Sequence, residues 1–262
     1  MDNKLRVVVM TQNDAFFIPK NIKRAAQVCD IVEIVEVDCK SSLENKTKDY
    51  FKWFGLWQCA RMGFKTISRK FQKIIDKLSK YKKYGGECSV PDVAKALNIP
   101  CTTINDSNDS DFVAHIKELN PDLIISYSAP QIIKEELLNT PKHGIINVHG
   151  SLLPNYRGCL PSFWYLYNEE KQGGATVHYM SAKIDDGMIL KQGSVDISDC
   201  KSMFQLMKKT KELGGKLMVQ AIEDIANGTV SLKPNNPDEG NYCTWPTVAQ
   251  AKEFRKKGYR LY

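Results

Sequence analysis

Short apolar runs alternate along the chain with longer stretches in which apolar residues recur every three or four positions. These are the signatures of buried strands and amphipathic helices. The Val-rich run LRVVVM predicts a first strand over Arg6 to Met10. NDAFFIPKNIKRAAQVC then reads as a helix with Asn13 or Asp14 as N-cap, and Pro19 predicts an irregular first turn. IVEIVEV is β-branched enough for a second strand. A β-α-β opening predicts a parallel sheet.

From Thr47 to Lys83 the pattern changes. Phe51, Phe54, Trp57, Phe64, Ile67, Phe71, Ile74 and Leu78 stand at helical spacing among lysines. Two helices, or one broken near Gly63, explain this insert of about residues 45–86, which Gly85-Gly86 ends. The alternation then returns. VPDVAKALN and DSNDSDFVAHIKELN are helical, IPCTTI and PDLIISYS are strands, and GIINVHG is the next strand. GATVHYM and MILKQGSVDI predict two more strands around the AKIDDG loop. A long helix follows from Cys200, with a break expected near Gly214-Gly215, then a polar, Pro-rich stretch and a basic terminal helix. The fold class is α/β with a mostly parallel twisted sheet. The expected division is a catalytic domain over 1–210 and a C-terminal helix and tail over 211–262.

Composition adds three constraints. At 262 residues, 42% hydrophobic and 26% charged, the chain can bury a full core without metal or disulfide support. No apolar run approaches a membrane span, and the N-terminus lacks the h-region and cleavage site of a signal peptide. The cysteines at 29, 39, 59, 88, 101, 159, 200 and 243 form no CxxC pair, so the expectation is free thiols in a reducing cytoplasm. The net charge of +7 is concentrated in the insert: from Lys46 to Lys83, twelve Lys and Arg stand against Asp49 and Asp76. Either an anionic partner (a nucleotide, a nucleic acid or a membrane surface) or a solvated helical face accounts for that asymmetry.

The candidate chemistry narrows by exclusion. No Gly-rich phosphate loop follows the first strand, no GxSxG elbow is present, and the His and Cys residues lack metal-ligand spacing. What remains is INVHGSLLPNYRG, with Asn147 and His149 two apart at the end of a strand, and the acidic loop with Asp185 and Asp186. Residues two apart on a strand face the same side. A carboxamide donates to a developing oxyanion, an imidazole takes a proton near neutral pH, and a carboxylate tunes that imidazole. The set suits acyl transfer to an amine without a covalent enzyme intermediate. Taken singly, Asn-x-His is common, Asp-Asp-Gly is a frequent turn, and His178 is more often a satisfied strand residue than a catalyst.

INVHGSLLPNYRG, GATVHYM and KIDDGMIL, in that order, resemble the folate-dependent formyltransferase family: methionyl-tRNA formyltransferases, glycinamide ribonucleotide transformylases and sugar N-formyltransferases. The resemblance is clearest from Pro121 to Ile197 and weak in the insert and tail. It implies a Rossmann-like formyltransferase fold and a catalytic set of Asn147, His149 and Asp185. The implied formyl donor is 10-formyltetrahydrofolate, without a metal. Its pterin would lie against the backbone of Ala129, Pro130, Gln131 and Ile132 and of the 182–185 loop, with Ile184 and Asp185. A neutral amine would attack the formyl carbon, Asn147 and protonated His149 would hold the oxyanion, and His149 with Asp185 would manage the amine proton.

For the acceptor, the resemblance points to the sugar N-formyltransferases. MTQNDAFF carries no glycine where the glycinamide ribonucleotide enzymes hold a phosphate, and the residues after Asp185 are too few for the β-barrel of the tRNA enzymes. YRGCLPSFWYLYNEE and YCTWPT are similar to the sugar group. The implied acceptor is a nucleotide-linked amino sugar, a 4-amino-4,6-dideoxyhexose, in surface-glycan (lipopolysaccharide O-antigen) synthesis, with Arg157, Tyr242 and Trp245 as binding candidates. Three alternatives stay open: methionyl-tRNA as acceptor with Trp53 and Trp57 gripping tRNA, water as acceptor, and a non-catalytic nucleic-acid-binding relative. The insert, as an amphipathic pair, is expected to bury its apolar face on the sheet or in a homodimer.

Overall fold

A computed structural model describes residues 4–38, 40–78, 89–128 and 130–262. Its strands are β1 (Arg6–Thr11), β2 (Asp30–Val37), β3 (Cys101–Ile104), β4 (Leu123–Tyr127), β5 (Ile145–His149), β6 (Arg157–Gly158), β7 (Gln172–Tyr179), β8 (Ile189–Asp196) and β9 (Tyr242–Cys243). Its helices are α1 (Ile18–Val28), α2 (Lys40–Leu78), α3 (Val90–Leu97), α4 (Ser110–Leu119), α5 (Glu135–Leu138), α6 (Pro161–Tyr167), α7 (Met203–Asn227) and α8 (Val248–Lys256).

Seven strands form one sheet in the order β3-β2-β1-β4-β5-β7-β8. The first five run parallel, while β7 and β8 pair antiparallel. The α/β expectation therefore holds. Period-two alternation divides each central strand between two cores. Val7, Val9, Leu123, Ile125, Ile146 and Val148 face α1, α3 and α7. Val8, Met10, Ile124 and Ile145 face α4 and α5. Asn147 and His149 fall on the Ile145 side of β5, as their spacing requires. A third cluster joins Trp53 and Phe54 of α2 to α6, α8 and the start of α7.

Several local expectations are revised. Helix α1 begins at Ile18, and Pro19 sits in its first turn, where a missing N–H costs nothing. Asp14 is not a cap of the α1 N-terminus in the usual sense. Its Oδ1 accepts the N–H groups of Phe16, Phe17 and Ile18, and so holds the β1–α1 loop. The insert helix breaks at Gly55 (φ 78°, ψ 163°), not at Gly63. Positive φ is open to glycine without the penalty a Cβ would bring. The expected end of the insert at Gly85-Gly86 lies outside the described residues. Helix α7 is unbroken at Gly214-Gly215 and runs across the expected 210/211 boundary while packing on β7 and β8. The two glycines serve close approach. A Cβ at Gly214 would stand 2.6 Å from Val148 Cγ2, and one at Gly215 would stand 2.1 Å from Asn21 Oδ1.

Gly214→Ala tests that contact. Alanine gains up to about 1 kcal/mol of helix propensity, while pressing a methyl into the β-branched Val148 costs about 1–3 kcal/mol. The overpacking term wins, so a lower melting temperature is expected in differential scanning calorimetry. A raised one would show that α7 has room at this position.

Candidate active site

The site lies at the C-terminal end of β5, where a parallel sheet carries its ligands. Beyond His149 the chain turns through Ser151–Pro154, and the Leu153–Pro154 peptide is cis. This turn is held from several sides. Ser151 Oγ donates to the Asn155 carbonyl (2.8 Å), and Thr176 Oγ1 donates to the Ser151 carbonyl (2.7 Å). Gln192 Nε2 donates to the Leu153 carbonyl (2.8 Å), and Tyr165 OH accepts the Leu152 N–H (3.0 Å).

The turn returns the chain over His149. The Nε2 of His149 stands 2.8 Å from the Tyr156 carbonyl oxygen. A carbonyl only accepts, so Nε2 carries the proton and Nδ1 holds the lone pair of the neutral ring. Nδ1 faces Asp185 Oδ2 at 3.4 Å. The other carboxylate oxygen, Oδ1, lies 3.5 Å from His178 Nε2. His178 Nδ1 donates to the Tyr179 carbonyl (2.8 Å), which leaves Nε2 of its neutral form as acceptor for one Asn147 Nδ2 hydrogen (3.3 Å). The second Nδ2 hydrogen of Asn147 remains for a ligand.

Two backbone devices hold the carboxylate. The Gly158 N–H donates to Asp185 Oδ2 (2.9 Å). Gly158 has φ 90°, and a Cβ there would stand 2.5 Å from the Cys243 carbonyl oxygen, so only glycine presents this N–H in the β6–β9 pair. Asn235 Nδ2 donates to the carbonyls of Asp185 (2.9 Å) and Gly187 (3.1 Å), pinning the loop. Asp185 and Tyr156, both non-glycine, sit at φ 51° and 57°, a local strain that recurs at functional sites. Asp186 serves the loop itself and accepts from Ser181 Oγ.

The electrostatics assign a resting state. Burial would raise the Asp185 carboxyl, but the attraction of the His149 and His178 rings in their protonated forms, together with the Gly158 N–H, outweighs it and holds it well below the usual range. It is therefore ionised at neutral pH. Burial pushes the His149 imidazole below its ordinary value, against the upward pull of Asp185 and the Tyr156 carbonyl. That direction favours the neutral ring at rest.

The other predicted residues divide. Ala129 lies outside the described residues. Gln131 braces the neighbouring β3–α4 loop: its Oε1 accepts from Ser107 N and Oγ (2.7 Å each), and its Nε2 donates to the Asn105 carbonyl (2.6 Å). Pro130 is half-buried, while Ile132 and Ile184 expose apolar side chains. Arg157 and Tyr242 are direct partners across β6–β9, next to the Gly158 contact with Asp185. Arg157 Nε is buried without a hydrogen-bond partner. Trp245 is engaged in packing and stacks on Trp53 of α2 (5.6 Å, 12°).

Sequence reasoning missed a second feature. A cleft of about 400 Å³ opens between α1, α2 and α7, with Phe16 and Phe204 edge-to-face on one side and Lys65, Arg69, Lys208 and Lys211 around it. Lys211 is half-buried and donates to Ser128 Oγ beyond β4, and its charge reaches His149. Burial holds its ammonium below the ordinary lysine value, with Asp14 acting in the opposite direction. The tertiary assembly of three helices carries no local sequence signal. Among the described residues, no cluster of His, Cys, Asp and Glu could hold a metal ion.

With this geometry in view, residues 68–222 match the family model described as formyl transferase. The chain belongs to the formyltransferase family. It is similar to a methionyl-tRNA formyltransferase of Thermodesulfovibrio yellowstonii, 31% identical over 188 residues; these are 70% of this chain and 61% of that relative, so the chain spans less than two thirds of the relative's length. Among solved structures it is similar to glycinamide ribonucleotide transformylase 1 from Symbiobacterium toebii (TM-score 0.61, 15% identity, 90% of this chain and 93% of that one). It is also similar to an N-formyltransferase from Helicobacter canadensis in complex with folinic acid and dTDP-3-aminofucose (TM-score 0.61, 16% identity, 91% and 70%). At such identities these structures speak for the shared Rossmann-like fold.

Asp185→Asn tests the electrostatic assignment. The carboxylate pulls the His149 pKa up against burial. Its removal is therefore expected to move the His149 imidazole titration, followed by NMR, to still lower pH. A shift to higher pH would contradict the pairing.

Proposed function

We propose that the chain transfers a formyl group from 10-formyltetrahydrofolate to the amine of a nucleotide-linked amino sugar. The observation that carries the reading is the constellation at the end of β5: Asn147 Nδ2, the unprotonated Nδ1 of His149 and the ionised Asp185 converge there. A neutral acceptor amine attacks the formyl carbon. Asn147 Nδ2 donates to the formyl oxygen as charge develops on it. His149 Nδ1 takes the proton the amine loses, and Asp185 stabilises the resulting imidazolium. His149 then delivers that proton to the folate nitrogen as its bond to the formyl carbon breaks. The exposed apolar side chains of Ile132 and Ile184 suit the flat pterin expected beside their loops.

The acceptor class is supported by the cleft. Aromatic rings fit a nucleobase, and Lys65, Arg69, Lys208 and Lys211 fit a diphosphate. Arg157 and Tyr242 stand on the Asp185 side, where the sugar would lie. Trp245 instead secures α2. Similarity to a dTDP-sugar enzyme's fold agrees with this reading. Methionyl-tRNA is the second reading, favoured by the 31% identical relative.

The test is a mass-spectrometric acceptor screen with 10-formyltetrahydrofolate and, separately, dTDP-, UDP- and GDP-linked amino sugars, methionyl-tRNA and glycinamide ribonucleotide. One nucleotide sugar is expected to gain a single formyl group. Formylated methionyl-tRNA beside untouched sugars would overturn the acceptor assignment. In the active assay Asn147→Ala is expected to lower kcat about 10²–10³-fold, and His149→Ala about 10²–10⁴-fold, with unchanged circular dichroism. Near-native turnover in either variant would remove that residue from the mechanism.

A further inference from the structure

The second half of α2 is turned inside out relative to an ordinary surface helix. From Leu56 onward, Leu56, Trp57, Ala60, Phe64, Ile67, Phe71, Ile74 and Ile75 fall within an arc of roughly 100° at 100° per residue. A globular protein buries such an arc. Here Trp57 is 76% exposed, Phe64 73%, Phe71 61% and Ile74 52%. The half-buried side of the helix carries Cys59, Met62, Thr66 and Arg69 instead. The first half of α2 behaves conventionally and anchors the element: Trp53 and Phe54 are buried against Trp245 and Phe254. The first half of the insert thus buries its apolar residues against α8 and the C-terminal tail rather than on the sheet, and the second half leaves its stripe exposed.

The charge of this segment selects what covers the stripe. Besides Lys65 and Arg69, which line the cleft with α1 and α7, Arg61, Lys70, Lys73 and Lys77 stand against Asp76 alone over residues 56–78. Two copies laid stripe to stripe would oppose two strongly basic helices. Nucleic acid would satisfy the cations but leave eight apolar side chains without a partner. The following residues, 79–88, include no Ile, Leu, Val or Met with which to cover it. A surface that is both anionic and apolar just beneath matches both halves of the pattern, and Trp57 one turn from Arg61 is a residue pair suited to such an interface. Among the described residues no helix is long and apolar enough to cross a membrane. We infer that the second half of α2 is a docking helix that lies in the headgroup region of an anionic bilayer.

This inference is independent of the acceptor, and its test needs none. The full chain is sedimented with vesicles of phosphatidylcholine alone and of phosphatidylcholine mixed with phosphatidylglycerol. Binding to the anionic vesicles is expected to exceed binding to the neutral ones about tenfold or more and to weaken with added salt. The double substitution Phe64→Glu, Phe71→Glu is expected to reduce it about tenfold or more, with circular dichroism unchanged. Brominated lipid is expected to quench native tryptophan emission, and Trp57→Phe to remove most of that quenching, a readout that does not depend on the double variant folding. Three results would overturn the docking helix: no sedimentation with anionic vesicles, sedimentation or quenching unaffected by the substitutions, or a dimer in light scattering that the double variant turns into a monomer.

Discussion

The Asp185 carboxylate is enclosed by protein, with its side chain 12% exposed, and such a charge persists only where partners replace lost hydration. Three groups face the carboxylate and a fourth braces its loop. His149 comes from β5, His178 from β7, the Gly158 N–H from β6, and Asn235 fixes the loop from behind. None of these can shift without uncovering the charge. The antiparallel pairing of β5 with β7 sets Asn147 opposite His178. The turn after His149 returns the chain so that Tyr156 meets His149 and Gly158 meets Asp185. The sheet, the turn and the tail strand thus converge on one anion.

The same anion explains how an imidazole so deeply buried stays useful. Burial alone would leave His149 a feeble base. The carboxylate beside Nδ1 offsets part of that penalty and stabilises the ring once a proton arrives. Asn147 is fixed by the neighbouring pair, since His178 uses one of its amide hydrogens and leaves the other directed by geometry. In the proposed mechanism, a charged group, a proton acceptor and an oxyanion donor are therefore organised as one unit, in which removal of any member disturbs the others.

The motif in β5 was legible because strand periodicity places Asn147 and His149 on one face, and because an apolar run followed by His, Pro and Arg serves packing poorly. The sheet class was legible from alternating β and α patterns. The role of His178 was not, because a histidine within a β-branched strand looks the same whether it bonds a backbone carbonyl or a carboxylate. Gly214-Gly215 suggested a break. In the structure the pair admits β5 and α1 to the helix surface, a requirement set by neighbours remote in sequence. The helical spacing of the insert was legible, but which of its faces points outward is decided by tertiary docking through Trp53 and Phe54.

The most direct test of the neutral-base account is kcat against pH for acceptor-saturated enzyme, with the His149 imidazole followed by NMR in the same enzyme–substrate complex. Burial places the imidazole below its ordinary pKa, so the rate is predicted to fall on the acid side with a midpoint below about 6.5, coinciding with the imidazole titration. A rate that stays flat, or rises, while the imidazole becomes protonated would contradict His149 as the group that receives the amine proton.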